Sequence, residues 1–65
     1  MPTITLTVPR NAWTKEEKAQ IIERFTNALN EVAQASGKGD IKQFISVQID
    51  ETTEGGYAVG GKIFG

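Results

Sequence analysis

The chain opens on a strict alternation of polar and apolar positions. Residues 3–8 read Thr-Ile-Thr-Leu-Thr-Val, with Ile4, Leu6 and Val8 on one side and Thr3, Thr5 and Thr7 on the other. Period two with β-branched residues predicts a half-buried strand, and Pro9, which has no N–H to give to a ladder, ends it. The period then lengthens. Ile22, Phe25, Leu29 and Val32 fall three and four apart, and Ile21, Ala28 and Ala35 widen the stripe, which predicts a helix over 14–35. Lys18, Glu23, Asn27, Asn30, Glu31 and Gln34 are left mostly for water. Thr14 and Glu17 stand in capping-box register at its start, and Gly37 in Ser36-Gly37-Lys38-Gly39 is able to take the left-handed position that stops it. From Ile41 the period returns to two. Ile45, Val47 and Ile49 share one face of a second strand; Phe44, Ser46 and Gln48 share the other. Finally, Gly60-Gly61 between Tyr57-Ala58-Val59 and Lys62-Ile63-Phe64 has the shape of a short hairpin.

Strand, long helix, strand is a βαβ unit, so the two strands are expected to be parallel with a right-handed crossover. The fold class that follows is α+β: a β-α-β unit plus a C-terminal β-hairpin, one domain over 1–65. A two-stranded parallel sheet under one helix leaves two open edges and a bare face. Phe44 has no partner inside such a unit and is expected at an interface, and so small a hairpin is expected to lie on a neighbouring subunit.

Composition sharpens that expectation. With 65 residues, no Cys and no His, the chain has no disulfide and no usual metal ligands to offset chain entropy. Oligomerisation is the remaining common way to stabilise a scaffold of this size. Seven Lys and Arg against eight Asp and Glu give a net charge of −1, which supplies no basic stripe for nucleic acid. The apolar runs are far shorter than the roughly 20 residues of a membrane span, and no secretion signal is visible, so a cytoplasmic location is expected.

The chemistry has few possible carriers. Catalytic Ser-His-Asp and Cys-His arrangements need residues this chain lacks, and the paired glycines do not form a phosphate loop. Asp50, Glu51 and Glu54 read as a solvated turn and not as a metal site. One unusual group remains: Pro2, directly after the initiator Met. Removal of Met1 would expose a secondary amine, whose unperturbed titration lies about one unit above neutrality. Burial in an apolar pocket beside a cation lowers that value and makes the amine an effective general base, then acid.

Met-Pro, a Thr-Ile-Thr-Leu strand, a capped helix, a second alternating strand and Gly-Tyr-Ala-Val-Gly-Gly together resemble the 4-oxalocrotonate tautomerase family over essentially the whole chain. The resemblance implies an assembly with active sites between subunits, a hexamer first and a trimer or dimer next. It implies no metal and no organic cofactor. It implies a keto–enol tautomerase in which Pro2 moves a proton between oxygen and carbon of an unsaturated enol acid. Tyr57 matches the family's aromatic wall. Trp13 lies near the position of the arginine expected after the first strand, with Arg10 in the preceding turn as the candidate carboxylate contact. Ser46 falls where the second-strand arginine is expected, so a cation from elsewhere, such as Lys42 or Lys62, has to replace it. With one arginine fewer, a monocarboxylate fits better than the dicarboxylate 2-hydroxymuconate, because each charge-assisted hydrogen bond contributes about 1.5–3 kcal/mol. Trp13, turned inward as a substrate-binding residue, favours an aromatic one such as phenylenolpyruvate. Two other readings follow from the same residues. One is a Pro2-dependent hydratase or dehalogenase of an unsaturated acid, which needs an extra carboxylate; the other is a non-catalytic subunit, which the uncharged Ser46 favours.

Overall fold

Thr14 opens the long helix as its sequence requires. Its hydroxyl accepts from the Glu17 N–H at 3.1 Å, and the Glu17 carboxylate accepts from the Thr14 N–H at 2.8 Å. The computed structural model describes every residue from Met1 to Gly65. In it β1 spans Thr3–Val8, α1 spans Lys15–Ala35 and β2 spans Ser46–Glu51. A short antiparallel hairpin follows, with β3 at Ala58–Val59 and β4 at Lys62–Ile63. β1 and β2 pair in parallel, from Thr3 opposite Ser46 to Val8 opposite Glu51. The predicted parallel β-α-β unit and hairpin are both present.

The end of α1 is closed by the two bonds of a Schellman motif. Gly37, at φ +81°, donates to the Gln34 carbonyl, and Lys38 donates to the Ala33 carbonyl. Only a residue tolerant of the left-handed region closes a helix this way without strain.

Two expectations need correction. The second strand does not begin at Ile41: residues Lys42–Phe44 form a 3-10 turn, and pairing starts at Ser46. The cause is local capture of backbone donors. The Asn30 side-chain oxygen accepts from the Ile41 N–H at 2.9 Å, and the Asp40 carboxylate accepts from the Lys42 N–H at 3.1 Å. Those donors are therefore lost to any ladder, and the chain turns before it extends.

The second correction concerns the helix face. Asn30 and Lys18, assigned to water, are buried and half-buried, while Ile22, Phe25 and Val32 are 38–62 % exposed. The apolar stripe is wider than the two strands beneath it. Only Val8, Ala33 and Asn30 are buried, and no large side chain is fully enclosed. The outer sheet face, with Thr3, Thr5, Thr7, Ser46, Gln48 and Asp50, is exposed along its length. Parallel strands ordinarily have both faces covered, so this one is incomplete as it stands.

Candidate active site

Pro2 enters β1 from the end at which α1 finishes. The Ser46 N–H donates to the Pro2 carbonyl at 3.0 Å, tying the residue to the start of β2. Around it lies a cleft of about 360 Å³ lined by Pro2, Leu29, Val32, Ala33, Ser36, Lys38 and Ile41. The walls are mostly apolar, and Lys38 is the only ionisable side chain among them. The Ser36 hydroxyl is turned back on the helix, donating to the Val32 carbonyl at 2.8 Å. Met1, which precedes Pro2, is 91 % exposed, so nothing in the chain shields it from removal.

The sequence-predicted residues divide between the two ends of the strands. Ser46 is adjacent to Pro2 through its backbone, but its side chain shares the outer sheet face with Thr3 and does not line the cleft. Arg10, Trp13 and Tyr57 follow the far ends of β1 and β2. A six-residue strand rising about 3.3 Å per residue separates them from Pro2 by roughly 20 Å. Trp13 rests on the first half of α1, beside Glu17, Gln20, Ile21 and Arg24. Arg10 faces Glu54 at 3.9 Å with both side chains largely exposed. Tyr57 is half-buried, and its carbonyl accepts from the Phe64 N–H at 2.7 Å, which closes the hairpin. Lys62 lies with its Nζ 6.0 Å from the Phe64 ring centre, in that same distal hairpin.

Lys38 lines the cleft although the sequence pattern does not single it out. It sits in a Ser-Gly-Lys-Gly run that reads only as a helix stop. The one available signal was a cation between two glycines directly after the helix, close in space to the start of β1 once the strands are parallel.

The carboxylates at the far end take separate partners. Glu51 accepts from Lys18 Nζ at 3.1 Å and from the Asn11 N–H at 3.4 Å, and Asp50 accepts from Gln48 at 2.8 Å. The hydrogen bond and charge of Lys18 hold the Glu51 carboxyl below its ordinary value. Asn11 adopts φ +59°, and its bond to Glu51 helps keep the turn that carries Arg10.

A β-α-β unit opening on Met-Pro thus carries a mostly apolar cleft that Pro2 and Lys38 both line. The model of the tautomerase enzyme family matches residues 2–65, and the chain belongs to that family. Among solved structures, the crystal structure of DmpI from Helicobacter pylori is similar, with a TM-score of 0.66 and 29 % sequence identity. That similarity covers 95 % of this chain and 85 % of the other. No curated protein matches. The family match and the shared fold bear out the resemblance that the sequence carries.

Proposed function

We propose that this chain is a keto–enol tautomerase subunit that uses Pro2, freed of Met1, to move a proton within an unsaturated enol monocarboxylate. The observation that carries the reading is the composition of the Pro2 cleft: apolar walls, one cation and no carboxylate. The neutral secondary amine accepts the enol O–H proton. The electron pair left on oxygen forms the carbonyl, and the conjugated carbon takes the proton back from the prolinium. No atom or electron is gained or lost, so the reaction needs no cofactor. An apolar wall and a neighbouring ammonium both disfavour the protonated amine and bring its titration towards neutrality.

Lys38 supplies the cation that Ser46 does not. One ammonium suits one carboxylate, which supports phenylenolpyruvate-like substrates over dicarboxylates within a single chain's cleft. Arg10, Tyr57 and Trp13 reach a Pro2 only from another subunit, which supports an oligomeric enzyme with a shared site, a hexamer by family resemblance. The hydratase or dehalogenase alternative needs a carboxylate to activate water, and the cleft offers none of its own.

Intact-mass measurement decides first whether the isolated protein begins at Pro2. A retained Met1 makes the Pro2 nitrogen an amide without basicity and ends the reading for that material. With Met1 absent, P2A is expected to lower phenylenolpyruvate tautomerisation by about 10² or more, the usual worth of a general acid–base group. An unchanged rate removes Pro2 from the mechanism.

A further inference from the structure

Between α1 and the 3-10 turn, two side chains make a closed set of hydrogen bonds that proton transfer itself does not use. Asn30 Nδ2 donates to Asp40 Oδ1 at 3.0 Å, and Asn30 Oδ1 accepts from the Ile41 N–H at 2.9 Å. Asp40 Oδ1 also accepts from the Lys42 N–H at 3.1 Å. Asn30 is 9 % exposed, at a place on the helix where Leu would bury more apolar surface. A buried amide is tolerated there because both of its ends are bonded.

We propose that Asn30 and Asp40 are positioning residues that hold Lys38 and Ile41 over Pro2, so that this clamp builds the carboxylate subsite of the cleft. The inference rests on the Pro2 cleft being the substrate site. Lys38 stands between Gly37 at φ +81° and Gly39 at φ +79°, and glycine is the residue type with the widest conformational freedom. On its N-terminal side the loop is fixed by the Schellman bond from the Lys38 N–H to the Ala33 carbonyl, 2.9 Å. On its C-terminal side nothing but the clamp anchors the chain before the 3-10 turn. Ile41, the next wall of the cleft, is held through its own N–H by Asn30. The bonds from the Lys42 N–H and the Asn30 amide also keep the Asp40 carboxyl below its ordinary value.

The test measures binding of trans-cinnamate, an unreactive monocarboxylate with an apolar body, by NMR of the assembled protein. D40A removes the shared acceptor, and N30D sets two carboxylates against each other. Each is expected to weaken cinnamate about tenfold, the worth of one charge-assisted hydrogen bond that is no longer aimed. The swap N30D/D40N restores the donor–acceptor pairing and is expected to recover affinity to within about twofold. K38A is expected to weaken cinnamate as much as D40A, and D40A in the K38A background to add nothing. A general loss of stability would not vanish in that background. Wild-type protein that does not bind cinnamate, or unchanged affinity in D40A and N30D, overturns the inference. So does an equal loss from D40A with and without Lys38. If N30D fails to fold, the exposed D40A carries the test alone. Turnover that survives P2A removes the proton-transfer reading and leaves the clamp standing, whereas a dead P2A with unaltered D40A binding removes the clamp only.

Discussion

Glu51 shows how a single side chain fixes a turn from a distance. Its carboxylate joins the Lys18 ammonium on α1 to the Asn11 N–H beyond β1, and its charge strengthens both bonds. Its carboxyl is held below the ordinary value of 4.5, first by the hydrogen bond from Lys18 and then by that residue's charge. Asp40 is likewise held below 3.8, first by the Lys42 N–H. A carboxylate with a depressed native pKa stabilises the fold above its unfolded pKa, and that contribution disappears as pH falls through the native value. Stability is therefore expected to be flat near neutrality and to fall below pH 4.5, through the native pKa values of both groups. E51Q should flatten part of that acid limb in urea titrations taken across the range; an acid limb identical to wild type would show that the Lys18 pair does not couple to folding. At this scale the sequence was only partly readable. Pro2 stands out because a chain without His or Cys offers few other candidates for acid–base chemistry. Asn30 does not, because periodicity assigns a polar residue on a helix to water. Only the returning loop, ten residues later, shows what the amide bonds.

The elements themselves were the most legible part, since each follows from a short run of neighbours. Thr14 and Glu17 bond reciprocally as their spacing requires, and Gly37 takes the left-handed position that ends α1. T14A removes one acceptor for the first turn and is expected to lower unfolding free energy by about 1 kcal/mol. Urea denaturation at fixed subunit concentration measures this, because assembly shifts apparent stability by mass action. No change would mean that Glu17 alone satisfies the first turn. The start of β2 was not legible for a physical reason. Alternation from Ile41 onward cannot reveal that Asn30 and Asp40 capture the backbone donors of Ile41 and Lys42. The helix stripe is apolar as its period predicts, but it serves two surfaces and not one. Leu29 and Ala33 line the cleft with Pro2 and Ile41, while Phe25, Ala28 and Val32 form with Ile4 and Leu29 an open apolar trough.

The molecule as a whole is shaped like a part. Its Cα radius of gyration is 14.7 Å, against about 11 Å for a compact domain of this length. It exposes 4878 Å², whereas a folded monomer of its mass exposes roughly 4,100 Å². The surplus is close to the roughly 800 Å² that one partner buries in a standard interface, and the trough on α1 supplies apolar surface for it. Assembly bears also on the candidate residues that a single chain keeps apart. Pro2 and Lys38 lie at one end of the parallel strands, Arg10 and Tyr57 at the other, so a site that used both groups would take residues from different chains. That division yields a complementation test. P2A and R10A homo-oligomers are each expected to be nearly inactive. Unfolded together and refolded as a mixture, they form some sites in which Pro2 comes from an R10A chain and Arg10 from a P2A chain. Random mixing gives such sites about a quarter of the time in a symmetric assembly, so activity is expected to return to on the order of a quarter of wild type. Mixing the folded proteins without subunit exchange should restore nothing. If refolded mixtures stay inactive while native mass spectrometry shows mixed oligomers, Arg10 and Pro2 do not serve a common site.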